Sequence, residues 1–145
     1  MHKPELHRSE QRFRILVESS IQGIIVHAGV TPIFANQAIA DMLGYDDPDD
    51  MLASGSIEHF LQPGAFRKIR ELAAATKRGT ALPRIVELEM RRKDGTAAWV
   101  EVRPAIVEWD GQPATLATIV DITERKRHDD ALRASEQRFR TLAEG

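Results

Sequence analysis

The last third of the chain, RIVELEMRRKDGTAAWVEVRPAIVEWDGQPATLATIVDIT, alternates apolar and polar residues over most of its length. Alternation with a period of two is typical of strands that bury one face. Two Asp-Gly pairs, Asp94–Gly95 and Asp110–Gly111, interrupt it where hairpin turns are expected. The stretch therefore predicts three antiparallel strands joined by two tight hairpins, and this commits the chain to a sheet.

The length of the first hairpin loop can be predicted from the residues it would pair, because a slip of one residue turns a strand over. A two-residue loop at Asp94–Gly95 would pair Leu88 with Glu101, an apolar residue with a charged one. A three-residue loop, from Lys93 to a left-handed Gly95, pairs apolar residues with apolar ones. The predicted pairs are Val86 with Val102, Leu88 with Val100 and Met90 with Ala98.

The same choice at the second hairpin predicts a three-residue loop from Trp109 to Gly111. This loop pairs Val102 with Thr118, so Thr118 should face inward. It is then the best polar candidate for contact with a ligand, although a strand threonine ordinarily bonds to backbone.

The two faces of the sheet follow from these registers. The face towards the central helices is predicted to carry Val86, Leu88, Met90, Val100, Val102, Ile106, Leu116 and Val120. The opposite face carries charges together with Trp99, Ala105, Val107 and Ile119. This second apolar patch needs a cover, and an amphipathic helix predicted over residues 4–20 is the candidate, from the same chain or a partner.

The middle of the chain predicts two short strands and then helices. The strands are GIIVH (Gly23–His27) and TPIFAN (Thr31–Asn36). Asn36 is suited to cap the helix that follows, and Gly44 to end it in a left-handed conformation. A longer helix is predicted after Pro63, with its end at Gly79.

The end of the sheet leads into a further helix. Asp121 and Glu124 have the spacing of a capping box, so a helix is predicted from this point through HDDALRASEQRFRTLAEG.

These landmarks in order resemble a PAS domain, the sensory module of bacterial signalling proteins. The resemblance rests on PIFANQAIADMLGY, RRKDGTAAWVEV and the DIT triplet of residues 121–123, and it covers about residues 9–128. It implies an α+β fold, with a five-stranded antiparallel sheet and helices packed on one face. It divides the chain into an N-terminal flanking helix (1–20), a PAS core (21–123) and an exit helix (124–145).

The resemblance also implies a pocket and a route out of it. The pocket lies between the sheet and the helix after Pro63, and the pocket candidates are Thr118, His59, Met90 and Val102. Asp121 and Thr123 of the DIT triplet take the family's role of joining the last strand to the exit helix. A sensor would pass a ligand's effect along this route.

The sequence excludes some of the cofactors that such a pocket could hold, but it does not identify one. The chain has no cysteine, so it cannot form a cysteinyl-flavin adduct. Haem is not expected either. The resemblance implies that a haem-binding member supplies a histidine from its long central helix, and AFRKIRELAAATK has no histidine. Non-covalent flavin or a small organic ligand stays open.

The histidines and aspartates have simpler explanations than metal binding. His59 could reach the pocket as a ligand, but a helix-surface histidine is the commoner case, and His27 could line the pocket or simply end its strand. The cluster of aspartates at 46–50 lacks the spacing of a calcium loop and is expected to be a solvated loop. No metal is therefore expected.

The charge pattern limits the partners. The formal net charge is −2, and the basic residues of the flanking helices alternate with acidic ones, so no nucleic acid is expected. No apolar run is long enough to cross a membrane, and the cytoplasm is the expected location. No nucleophile–base–acid set is recognisable, so this chain is not expected to be an enzyme, although its parent could be a histidine kinase or a cyclic-di-GMP enzyme.

The hexapeptide SEQRFR begins at Ser9 and again at Ser135, a period close to the length of the chain. Such a repeat indicates an array, so this chain is predicted to be one unit of a multi-PAS protein, followed by the start of another. Two hypotheses remain. In one the chain is a ligand sensor, and in the other it is a ligand-free module for dimerisation and relay. The expected partners are a second copy, in a homodimer through the flanking helices and outer sheet face, and the neighbouring PAS and output domains of the parent.

Overall fold

Five strands form one antiparallel sheet, in the order β2–β1–β5–β4–β3, in the computed structural model, which describes residues 22–79 and 81–144. The strands are β1 (Gly23–Ala28), β2 (Thr31–Ala35), β3 (Val86–Arg91), β4 (Ala97–Trp109) and β5 (Gln112–Asp121). The helix predicted over residues 4–20 lies outside the described residues. The five-stranded antiparallel sheet of an α+β fold is as predicted.

The helices between β2 and β3 cover one face of the sheet. They are α1 (Gln37–Leu43), α2 (Pro48–Leu52), a 3₁₀ turn (Ile57–Phe60) and α3 (Pro63–Lys77). Buried side chains of these helices, such as Ile39, Met51 and Phe60, pack in one cluster with Leu88 and Val100 from the sheet. The exit helix, α4 (Thr123–Glu144), follows β5 directly, one residue earlier than the predicted boundary.

Asn36 holds the start of α1 against β1. Its side chain is fully buried, and its Oδ1 accepts hydrogen bonds from the backbone N–H of Ile39 at 3.1 Å and of Ile24 at 2.9 Å. Its Nδ2 donates to the carbonyl of Gln22 at 2.9 Å. The predicted cap is thus confirmed, and it also joins the helix to the sheet. Gly44 ends α1 with a φ of 79°, as predicted.

The first hairpin has the predicted register. Val86 pairs with Val102, Leu88 with Val100 and Met90 with Ala98. Gly95 has a φ of 89°, which a glycine adopts without strain. The side chains of these three apolar pairs consequently point at the helices.

The second hairpin corrects the sequence-based register. Trp109 pairs with Gln112, so the loop has two residues, Asp110 and Gly111, both with positive φ (49° and 80°). This is the backbone of a type I′ turn, whose twist matches that of the strands. Val102 therefore pairs with Ile119 rather than Thr118.

The one-residue shift turns β5 over. Ile119, predicted on the outer face, is buried inside at 2% exposure. Leu116 and Val120, predicted inside, lie on the outer face, where Val120 is 38% exposed. Ile106, also predicted to be covered, is 55% exposed.

Asn36→Ala should lower the free energy of unfolding by about 2–4 kcal/mol, because two buried N–H groups and one carbonyl lose their partner together. Chemical denaturation measures this loss. The matched control is Asp47→Ala, which removes the cap of α2 at an exposed site and should cost about 1 kcal/mol or less. Equal losses in the two variants would show that Asn36 acts as an ordinary cap.

Candidate functional site

A small cavity lies between the inner face of the sheet and the helices. Its volume is about 40 Å³, and its walls come from four strands of the sheet (β1, β3, β4 and β5), from the 3₁₀ turn and from α3. Six of the lining residues are Ile25, Phe60, Ile69, Met90, Val102 and Ile119. Met90 and Val102 thus keep their place as predicted pocket residues. An apolar cavity of about 150 Å³ is needed for a molecule the size of benzene, so this cavity is small.

His27 is the polar residue of the cavity wall. It lies near the end of β1, half-buried, with Nδ1 2.8 Å from the carbonyl oxygen of Gly29. Because a carbonyl only accepts, Nδ1 carries the proton in this bond. Burial lowers the pKa of His27 below its usual 6.5, and the hydrogen bond to Gly29 opposes this only in part. The side chain is therefore neutral at pH 7.

A larger groove opens beside the cavity. Its volume is about 630 Å³, and it runs between α3 and the first residues of β5. Its walls are mostly apolar and include Ala73, Ile106 and Pro113. His27 and Ile69 line both the cavity and the groove. These two side chains form the boundary at which the two spaces meet.

Thr118 does not line the cavity. It pairs with Arg103, and its chain neighbours Ala117 and Ile119 both line the cavity, so its side chain is directed to the other face of the sheet. The inward placement was wrong because the turn at Asp110 has two residues rather than three. The sequence held no decisive signal here, because the predicted register also pairs two apolar residues, Val100 with Val120.

His59 is not in the cavity wall either. It is exposed on the 3₁₀ turn, while Ile57 and Phe60 of the same turn line the cavity. A 3₁₀ helix repeats every three residues, so positions 57 and 60 share a face that position 59 does not. The pocket role considered for His59 is therefore corrected to the surface position that was the alternative.

The junction of β5 with α4 is fastened to the start of β4 at Trp99. The hydroxyl Oγ1 of Thr123 accepts from the backbone N–H of Trp99 at 3.1 Å, and the N–H of Ile122 donates to the Trp99 carbonyl at 2.9 Å. Asp121 accepts the N–H of Thr123 through Oδ1 at 2.8 Å, which satisfies a free amide at the helix start. Asp121 and Thr123 thus lie where β4, β5 and α4 meet.

Charged residues hold the first turn of α4 over the outer face of β3 and β4. Arg125 and Lys126 contact the carboxylate of Glu87 at 2.7 and 2.9 Å. Lys126 Nζ also lies 4.8 Å from the ring centroid of Trp99. The hydrogen bond from Lys126 lowers the pKa of Glu87. Each exposed ion pair contributes little, but together they give the helix one orientation.

The β3–β4 hairpin connects this junction with the helices α1 and α2. The backbone N–H of Lys93 donates to the carbonyl of Leu43 at 2.8 Å, and its Nζ binds Asp50 at 2.7 Å. The hydrogen bond raises the pKa of Lys93 and lowers that of Asp50. The preceding residue is Arg92, and its guanidinium nitrogen lies 3.8 Å from a carboxylate oxygen of Asp121. One turn therefore contacts α1, α2 and the exit junction.

Residues 22–79 and 81–144 contain no group of three or more side chains that could hold a metal ion. In the aspartate loop, Asp47 caps α2 and Asp50 binds Lys93, which accounts for two of its four carboxylates. Within the same described ranges, no helix is long and apolar enough to span a membrane.

Comparison with known proteins places the fold. A family model described as "PAS domain" matches residues 22–124. Sporulation kinase A of Bacillus subtilis is 24% identical over 127 residues, which is 88% of this chain and 21% of the kinase. The methyl sulfide methyltransferase-associated sensor of Methanosarcina acetivorans is 27% identical over 139 residues, which is 94% of this chain and 14% of that protein. The chain therefore spans less than a quarter of either curated relative.

A solved structure agrees. The crystal structure of a sensory box histidine kinase/response regulator from Burkholderia thailandensis superposes with a TM-score of 0.63 at 22% identity. The match covers 90% of this chain and 98% of that one. At this identity the likeness concerns the fold.

His27→Gln should make the free energy of unfolding less dependent on pH. Burial holds the pKa of His27 below 6.5 in the folded protein, so below pH 6.5 the unfolded chain binds more protons and the native state loses stability. Wild type should lose more stability than the variant between about pH 7.5 and 5.5 in denaturant titrations. His59→Gln removes an exposed histidine and serves as the matched variant. Parallel profiles of wild type and His27→Gln would show that burial does not hold the imidazole neutral.

Proposed function

Because the chain belongs to the PAS domain family, we propose that it senses a small ligand in the cavity and passes the change through Asp121 and Thr123 to α4. It is a PAS sensory domain related to the sensor domains of histidine kinases. The observation that supports the finer proposal is the continuity between the cavity wall and the exit junction.

That continuity runs along two neighbouring strands. Ile119 lines the cavity and stands two residues before Asp121 on β5. Val102 lines it from β4, three residues after Trp99, whose backbone holds Thr123 and Ile122. A molecule that spreads the cavity wall therefore pushes on the strands to which α4 is fastened. It can shift the equilibrium between two positions of the helix by no more than the difference in its affinity for the two states.

The size and lining of the cavity favour a small organic ligand. A cavity of about 40 Å³ does not admit the ring system of a flavin or a haem unless α3 moves. The sequence of α3, PGAFRKIRELAAATK, offers no histidine to a haem iron. Non-covalent flavin is thus the weaker of the two cofactor proposals for this site.

The partners we propose are a second copy of the chain and neighbouring domains of a longer cytoplasmic protein. Val120 on the outer sheet face and Leu132 on α4 are 38% and 57% exposed, and a homodimer through this face and the flanking helices would cover them. The output would come from a histidine kinase or a cyclic-di-GMP enzyme in the parent protein, with no catalysis by this chain itself.

The second candidate function is a ligand-free module for dimerisation and relay. The observation that favours it is again the volume of the cavity, which the chain's own side chains already reduce to about 40 Å³. In that case the charged contacts at Glu87 would transmit movement from a preceding domain, and nothing would enter the cavity.

Ala117→Val should abolish ligand binding, because Ala117 lines the cavity and the added methyl groups occupy its small volume. The measurement is native mass spectrometry of protein purified from its own host, with thermal melting against a metabolite panel. Ala98→Val is the control, since Ala98 is an equally buried inward alanine that does not line the cavity. A ligand-free wild type without any melting shift would favour the second candidate.

Asp121→Ala should cost about 1 kcal/mol through the lost bond to the helix start and should uncouple the output of the parent protein from its signal. Asp47→Ala is the matched control, because Asp47 also accepts a backbone N–H at a helix start, that of α2, and makes no hydrogen bond or ion pair with the described residues of α4. Stability and output activity are measured for both. Output that stays under signal control in Asp121→Ala would contradict the relay.

A further inference from the structure

We propose that the ligand is an uncharged, largely apolar molecule with one hydrogen-bond donor, and that Nε2 of His27 accepts the bond from this donor. The inference rests on the proposed sensory function and specifies its ligand class. It follows from the lining of the cavity and the groove, the tautomer of one imidazole and the position of the charges around it.

The walls leave few polar atoms for recognition. Among the described residues that line the cavity, His27 has the sole side-chain nitrogen or oxygen. The groove adds Arg70, Thr76 and Thr115, and the hydroxyl of Thr76 already donates to the carbonyl of Leu72 at 2.9 Å. A ligand that fills these spaces must therefore be apolar over most of its surface.

The hydrogen bond to Gly29 decides what His27 can do for a ligand. Since Nδ1 donates to the Gly29 carbonyl, Nε2 of the neutral ring carries a lone pair and acts as an acceptor. No hydrogen bond joins Nε2 to any described residue, and the described part of the chain contains no sealed side-chain nitrogen or oxygen without a partner. Nε2 is therefore open to a molecule in the space that His27 lines, and a donor group on that molecule would satisfy it.

The charges near His27 favour a neutral ligand. Burial disfavours the charged imidazole, so the ring is not a natural partner for a carboxylate. Arg70 is the one charged side chain among the described residues of the groove wall, and its guanidinium lies on the exposed side of α3, 5.9 Å from the ring centroid of Phe66. An anionic ligand would have to be held at this rim and would leave Nε2 unused.

The two volumes place the ligand. The cavity of about 40 Å³ is too small for an aromatic ring, whereas the groove of about 630 Å³ is large enough. His27 and Ile69 separate them. The apolar body then lies in the groove against α3, its donor group enters the cavity beside His27, and movement of Ile69 transmits binding to the cavity wall.

The test compares indole with 1-methylindole, which has the same ring system without the N–H donor. Wild type should bind indole about fivefold more tightly, the effect of one hydrogen bond to a neutral acceptor. His27→Phe should bind the two probes equally. Thr115→Val, which changes another polar residue of the groove, should keep the wild-type ratio. Affinities are measured by calorimetry or by chemical-shift titration.

A second measurement does not need a variant that folds. In ¹⁵N spectra of the wild-type histidine rings, Nε2 of His27 should have the shift of an unprotonated nitrogen, and indole but not 1-methylindole should move it upfield. Equal affinity of wild type for both probes, or an unmoved Nε2, overturns the proposal. Tightest binding of indole-3-carboxylate, lost in Arg70→Gln, overturns it in favour of an anion.

The outcomes separate this proposal from the sensory function. A bound molecule without a donor, recovered from the protein purified from its host, would overturn the assignment to His27 and leave the sensory function standing. Failure of all three probes to bind wild type, together with a ligand-free protein from the host, would overturn both.

Discussion

The fully buried side chain of Asn36 is the constraint on which the position of the helices depends. One amide satisfies a strand amide, a helix amide and a carbonyl, at 2.9, 3.1 and 2.9 Å. An apolar residue could fill the space but would leave the buried N–H groups of Ile24 and Ile39 without this partner. The helix that starts here, α1, is therefore fixed to β1 at its N-terminal end. The space beneath the later helices then depends on where the chain returns to the sheet at β3.

That return is fixed at the opposite edge by the β3–β4 hairpin. Lys93 bonds the end of α1 and the start of α2, while Arg92 faces Asp121 at the exit. Further backbone bonds attach the helical layer at Ile57, whose N–H donates to the carbonyl of Val30 at 2.8 Å, and at Gln62, whose N–H donates to the carbonyl of Glu89 at 3.1 Å. Both the cavity and the groove lie against α3, where Ile69 lines the two spaces.

Much of this architecture could be predicted from the sequence, because local chemistry and long-range packing agree there. Asn36 and Gly44 have the residue types that the two ends of a helix require, and the apolar match decides the first hairpin. At the second hairpin the sequence supports two registers, since Ile119 and Val120 are both apolar. Only the positive φ of Asp110 and Gly111 selects between them. The predicted cavity lining is wrong for the same reason: Thr118 lies on the opposite face, and the prediction lacks Ala117 and Ile119.

The connection of β1 with β5 has a consequence for folding. The long β4–β5 hairpin closes on a two-residue turn, so it can form from contacts that are close in the chain. The pairing of Gly23 with Ile119, by contrast, must bring together residues from opposite ends of the domain. Such non-local pairing is the slow step in proteins of this size, because loop-closure entropy is lost before the contacts form. His27 and Ile119 reach the same wall only through that pairing, so the cavity is among the last features of the domain to assemble.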